Sequence, residues 1–352
     1  MHLASSVKQL ISKRQNKLSE KIQLQFLKRL HRLLSNGYPL LDALEAVAWD
    51  KELTSLANHF IQSLKAGERF DKVFDETGFH SQISSFMYFT RANSNLVGSM
   101  KKCIDMFEHR MKNTKKFKQI IQYPLILLLI FSIVIFFINH HVLPAFHSLL
   151  QSSSGTQQTI SALIFIMDFM QFLVILIIAG FIIIMMIWKS LKKSIAIDKQ
   201  LKIFNRIPIY RNFLRLQNSF QFAIHFSSLL KAGLSLKQIL QELSNQSKLP
   251  ITAFYAQLLT NDLQRGFHMS SLLSELVFVE KQLAIIFQKN TDNHALEKDL
   301  SLYSEMLMEN IQQTVVKAIT FIQPVFYIVL AIFIVFIYIS LMWPMFQLIN
   351  TF

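Results

Sequence analysis

The chain has little cysteine, glycine or acid, and each shortage excludes a class of function. Cys103 is the one cysteine in 352 residues, so an intrachain disulfide and a cysteine-based zinc site are both ruled out. The eight glycines are isolated, and none stands before a Lys-Ser or Lys-Thr pair. A nucleotide-binding loop needs clustered glycines whose backbone N–H groups wrap a phosphate, so ATP hydrolysis by this chain is not expected. Sustained two-residue alternation with β-branched enrichment is also missing, and an all-α fold is expected. Acidic residues number 22 against 36 Lys and Arg, for a formal net charge of +14.

The absences are also local. No Lys or Arg occurs between Gln119 and Trp188, or after Ala318. All basic residues therefore fall in two blocks, Lys8 to Lys118 and Lys189 to Lys317. Basic residues stay on the cytoplasmic side during insertion, so both blocks are expected in the cytoplasm and the intervals in or beyond a membrane. Hydrophobic residues make up 52% of the chain, more than usual for a soluble domain. Three apolar runs, Pro124 to Leu143, Phe169 to Trp188 and Phe321 to Trp343, each approach the ~20 residues that cross a bilayer. No cleavable signal peptide is expected, because the first apolar run follows more than a hundred polar and amphipathic residues.

The chain also repeats itself. Pro124 and Pro144 bracket the first apolar run, and Pro324 and Pro344 bracket the last at the same spacing. Upstream, the stripe Phe26, Leu27, Leu30, Leu33 and Leu34 returns as Phe222, Ala223, Phe226, Leu229 and Leu230. Gly37 and Gly233 follow these stripes, suited to a left-handed residue that ends a helix. Pro39 and Ser235 then begin a second helix, whose stripe is Leu40, Leu44 and Val47 in one copy and Leu236, Leu240 and Leu243 in the other. Phe60 and Leu64 before Gly67 match Leu259 and Leu263 before Gly266, and Val73 and Phe74 match Leu272 and Leu273. The offset grows by three in this last stretch, which places an insertion near Ser247 to Pro250, where turn residues are available.

The expected organisation is a basic tail at 1–18, a helical domain at 19–118, a first span at 119–143 and an external segment at 144–165. A second span at 166–188, a polar linker at 189–215, a second helical domain at 216–317, a third span at 318–343 and an external tail at 344–352 follow. The fold class is an all-α membrane protein: two homologous cytoplasmic helical bundles and three transmembrane helices. The last helix of each bundle is expected to run on toward Pro124 or Pro324, where a proline removes a backbone donor and kinks a helix.

Candidate functional side chains are few. His140, His141 and His147 cluster at the outer end of the first span, but with no nearby carboxylate or cysteine they read as interfacial residues rather than a metal shell. Asp168 is the one acid outside the basic blocks. Two roles stand open for it: an interfacial or helix-terminal residue, and a polar contact with a protomer or a passing helix. Lys112, Lys115, Lys116 and Lys118 precede the first span, and Lys189, Lys192 and Lys193 follow the second; they read as topology determinants and anchors to anionic lipid, or as docking points for a motor. The tail from Lys8 to Lys21 lacks aromatics to stack on bases, so direct nucleic-acid binding is not expected.

The sequences Leu33-Leu34-Ser35-Asn36-Gly37-Tyr38-Pro39-Leu40 and Leu229-Leu230-Lys231-Ala232-Gly233-Leu234-Ser235-Leu236, with Lys65-Ala66-Gly67, Gln122-Tyr123-Pro124 and Leu143-Pro144-Ala145-Phe146, carry a family resemblance. In this order, from about Leu24 to Phe346, the chain resembles the polytopic inner-membrane platform proteins of type II secretion and type IV pilus systems, the GspF and PilC class. Within it the chain is most similar to the shorter ComGB-type members of competence pseudopili. The family's Gly-Glu-x-x-Gly-like signature corresponds here to Arg91-Ala92-Asn93-Ser94-Asn95-Leu96 and Lys289-Asn290-Thr291-Asp292-Asn293-His294. Asparagine can replace glycine in a left-handed turn, and the glutamate is gone. The resemblance implies a non-enzymatic platform without cofactor, partnered by a cytoplasmic assembly ATPase, by pilin or pseudopilin subunits, by membrane lipid and by further copies of itself. Gly37 and Gly233 are the candidates for arm geometry and Pro124 and Pro324 for the joints with the membrane; Pro144 and Pro344 are further structural or interaction candidates. A solute transporter or an unrelated membrane scaffold is the alternative reading.

Overall fold

The computed structural model describes residues 18–90, 96–142, 144–145, 197–290 and 292–351. Asp168, His147, the second expected span, the tail at 1–17, Lys189, Lys192, Lys193, the signature residues 91–95 and Thr291 lie outside the described residues. Among those described, all regular structure is helical. Copy 1 consists of α1 (Glu20–Ser35), α2 (Leu40–Val47), α3 (Thr54–Lys65), α4 (Phe70–Glu76), α5 (Ser81–Thr90) and α6 (Leu96–Phe137). After α7 (Ile197–Asn205), copy 2 repeats the order as α8 (Pro208–Lys231), α9 (Leu236–Ser244), α10 (Pro250–Gln264), α11 (Met269–Glu275), α12 (Lys281–Lys289) and α13 (Asn293–Thr351). The chain divides into two compact units, one of residues 1–113 with 197–314 and the other of 114–196 with 315–352.

Local chemistry explains the shared helix boundaries. Gly37 has φ +85° and Gly233 φ +81°. In each, the glycine N–H bonds a carbonyl three residues back, and the next N–H reaches one residue further: Tyr38 to Leu33 at 3.2 Å and Leu234 to Leu229 at 3.2 Å. This closes the orphan carbonyls of a helix end through a residue with positive φ. At the start of α9, Gln238 Oε1 accepts from the Ser235 N–H at 2.9 Å. Copy 1 has Pro39 at that place, and a proline leaves no N–H there to satisfy.

The apolar stripes face inward. Phe26, Leu27 and Leu30 are fully buried, as are Ala223, Phe226 and Leu229. In copy 1, Phe26, Phe60, Phe74 and Phe79 form one aromatic cluster, with centroids 5.0 Å apart for Phe26 and Phe60 and 4.7 Å for Phe74 and Phe79. One buried polar residue interrupts each stripe. Gln23 Oε1 accepts from the His80 N–H at 2.9 Å, and Ser219 Oγ accepts from the Glu280 N–H at 2.7 Å. His80 and Glu280 each stand immediately before a corresponding helix, α5 or α12, so the first helix of both copies caps the fifth.

Two boundaries differ from expectation. The stretch read as a polar linker at 189–215 is helical from Ile197, with α7 and the start of α8 separated by Arg206 and Ile207. Pro208 is the first residue of α8, where its fixed φ suits helix initiation. The extra residues of copy 2 are taken up as helix: α10 has 15 residues against 12 in α3. Pro250 starts α10 and turns what reads as turn chemistry into an additional helical turn. At the C-terminus α13 continues through Pro344 to Thr351.

Replacing Ser219 with Ala strands the buried Glu280 N–H and is expected to lower unfolding stability by about 1–3 kcal/mol. The equivalent change at exposed Lys237 is expected to stay within about 0.5 kcal/mol, and chemical denaturation of the detergent-solubilised protein compares the two.

Candidate functional site

The two copies meet through α8. This helix is buried on nearly every side, because its stripe of Phe222, Ala223, Phe226 and Leu229 packs within copy 2 while Leu216, Phe220 and Ile224 join the core of copy 1. Leu307 of α13 enters the same core, and Phe89 of α5 enters that of copy 2. Burying a Phe or Ile side chain contributes about 1.5–3 kcal/mol, so this exchange holds the repeats as one body.

His225 lies at the centre of the contact. Its ring is 4.2 Å from that of Phe89 and 4.8 Å from that of Phe86. Burial among these rings disfavours the imidazolium and pushes the pKa of His225 down to about 3. Polar links also join the copies: Tyr88 Oη donates to Glu242 Oε2 at 3.2 Å, Lys248 pairs with Asp75, and Lys102 Nζ donates to Ser301 Oγ at 2.9 Å. Burial lowers the Lys102 pKa, opposed by the nearby Glu305 and Glu297 carboxylates. The Cys103 thiol is fully buried and its pKa is raised by that burial, which leaves it unreactive.

The second unit holds the apolar parts of α6 and α13. Leu96–Val134 and Asn293–Ile339 are long and apolar enough to cross a membrane. Ile126, Leu129, Ile133, Ile328, Ile332 and Tyr338 are all more than half exposed, a surface that water would penalise and hydrocarbon would not. Pro124 sits inside α6 and Pro324 inside α13, and neither interrupts its helix. A cavity of about 300 Å³ opens between Gln119, Tyr123 and Pro124 on α6 and Gln323, Phe326 and Tyr327 on α13. Gln323 Nε2 donates to Tyr327 Oη at 3.1 Å. Lys115 and Lys116 are exposed, a turn before Gln119 and Ile120 on α6.

The structure thus places Pro124 at this cavity, with Gln323 rather than Pro324 facing it from α13, and leaves Gly37 and Gly233 as helix ends, with open space around each. Among the described residues no group of three or more His, Cys, Asp or Glu is placed to hold a metal. His140 and His141 lie in a π-helical turn, Ile138–Val142, against Phe136 and Phe137. Sequence reasoning passed over His225, Phe86 and Phe89. The available signal was the second face of α8, where Phe220 and Ile224 replace Leu24 and Lys28 of α1.

Comparison with known proteins follows the same duplication. Residues 26–144 and 222–344, together more than half of the chain, each match the family model described as type II secretion system (T2SS), protein F. The chain is similar to the ComG operon protein 2 of Bacillus subtilis, with 26% identity over 90% of this chain and 99% of the relative. It is also similar to the ComG operon protein 2 homolog of Halalkalibacterium halodurans, with 21% identity over 90% of this chain and 99% of that protein.

The depressed pKa of His225 has a sign. The unfolded imidazole protonates below about 6.5 while the folded one stays neutral to about 3, so stability falls as pH drops through this window. Wild type is expected to lose up to about 1.4 kcal/mol per pH unit more than His225→Gln below pH 6, measured by denaturation at stepped pH.

Proposed function

The chain belongs to the type II secretion system protein F family, and on that premise we propose that it couples a cytoplasmic assembly ATPase to polymerisation of pilin-like subunits in a competence pseudopilus. The family is one of non-enzymatic membrane platform proteins. On our reading both helical copies face the cytoplasm, three spans anchor them, and the C-terminus lies outside. The product is a short fibre that serves DNA uptake, and the working form is a homo-oligomer.

The observation that carries this reading is the paired long helix. Each copy ends in a helix that starts in the folded bundle and continues through a proline into an apolar segment: α6 of 42 residues and α13 of 59. At 1.5 Å per residue, α6 alone extends about 60 Å. An uninterrupted helix supports transmission of displacement from a motor to the membrane. The basic block ahead of each apolar run supports the cytoplasmic placement of both copies. Full-length similarity to two ComG operon proteins supports placing the chain with the shorter, ComGB-type members. Asp168, as a polar contact for a passing subunit, and Lys115 and Lys116, as contacts to lipid or motor, are the further candidates.

Deleting the gene is expected to abolish pseudopilus assembly and transformation, and normal DNA uptake in the deletion strain would remove the competence assignment. Within the protein, Pro124→Ala with Pro324→Ala restores helix hydrogen bonds worth up to about 3 kcal/mol per site. The expected outcome is protein abundance at or above wild type with fibre yield reduced, read by immunoblot of membrane and sheared-fibre fractions. Asp168→Leu is expected to lower fibre yield at unchanged abundance in the same assay.

A further inference from the structure

The two copies differ most on one helix face. On α8 that face carries Phe220, Ile224 and His225, all nearly inaccessible, and a helix covers it: α5 of copy 1, through Phe86 and Phe89. The equivalent positions on α1 are Leu24, Lys28 and Arg29. Among the described residues no helix covers this face, and with Lys21, Gln25 and Arg32 it forms a shallow groove of about 340 Å³. The corresponding faces of the two copies therefore differ in chemistry, apolar on α8 and cationic on α1.

Three carboxylates border the groove. Asp50 pairs with Arg29 at 2.5 Å and accepts from Gln25 at 3.0 Å, Glu108 pairs with Lys28, and Glu20 lies 3.6 Å from Arg110. Lys21, Lys28, Arg29, Arg32 and Arg110 outnumber them, and Glu20 is the only acid among residues 1–32. A second copy of this chain is a poor occupant. Its counterpart of α5 is α12, which places Ile286 and Lys289 where α5 has Phe86 and Phe89, with Lys281 at its first position, so that docking would set cation against cation.

We propose that this face of α1 docks an acidic helix of a partner protein, which takes on α1 the place that α5 takes on α8. Carboxylates spaced three and four residues apart on such a helix meet Lys21, Lys28 and Arg32, with an aliphatic contact at Leu24. The proposal rests on the platform reading, which makes the partner the assembly ATPase.

The test uses the full chain in zwitterionic lipid nanodiscs, with the purified cognate assembly ATPase as probe. Lys21→Glu with Arg32→Glu is expected to weaken binding at least tenfold, most strongly at low salt, while Lys237→Glu with Lys298→Glu leaves it unchanged. Reversing the acidic side chains of one ATPase helix is expected to restore affinity for the α1 variant. Equal binding by wild type and both variants overturns the docking face and leaves the platform reading standing. A wild-type chain that binds no ATPase removes both. If the α1 variant keeps its ATPase affinity but no longer binds phosphatidylglycerol vesicles, the face is a lipid surface and the proposal is wrong.

Discussion

The burial of α8 between the two copies is the constraint on which the rest depends. A helix with one apolar stripe satisfies one core. α8 has two, because Phe222, Phe226 and Leu229 serve copy 2 while Leu216, Phe220 and Ile224 complete copy 1. Neither core closes without the other copy. A histidine within this seam remains neutral over the physiological range, since its environment offers aromatic rings rather than charge.

This seam makes the duplication asymmetric. An exchange in which each copy covered the other's first helix would leave no face open. Here α5 covers α8, yet α12 does not cover α1, and the uncovered helix is the one with cations in place of Phe220, Ile224 and His225. Two bundles of one ancestry thus have different tasks: one joins the repeats and the other leaves a polar face available. The capping geometry was retained in both, because Gln23 and Ser219 each hold the backbone N–H ahead of a fifth helix. That bond is independent of what covers the outer face.

The long helices α6 and α13 are governed by a different solvent. Their apolar stretches leave large side chains such as Leu129, Ile133, Ile328 and Ile332 exposed, and a helix satisfies its backbone internally wherever water is absent. Prolines within such helices are tolerated in hydrocarbon as they seldom are in water. Pro124 lines a cavity that Gln323, the neighbour of Pro324, closes from α13, so segments about 200 residues apart along the chain meet at one place in the fold.

Much was legible in the sequence because the determinants are local. Helix stripes follow from residue spacing, helix ends from Gly37, Gly67, Gly233 and Gly266, and two membrane-competent helices from uncharged runs of sufficient length. Where reading went astray, a local rule had two outcomes: Pro250 both ends a turn and begins a helix, and only the extended α10 shows which it did. By itself the sequence determined an all-helical duplication with charge-free apolar segments, since periodicity, turn residues and charge act over a few positions. Only the tertiary structure decided that α8 is shared, that His225 is buried beside Phe86 and Phe89, and that Lys28 and Arg29 of α1 stay exposed among the described residues. Those outcomes depend on which surfaces of distant segments meet, and a stripe that is apolar by spacing does not name its partner.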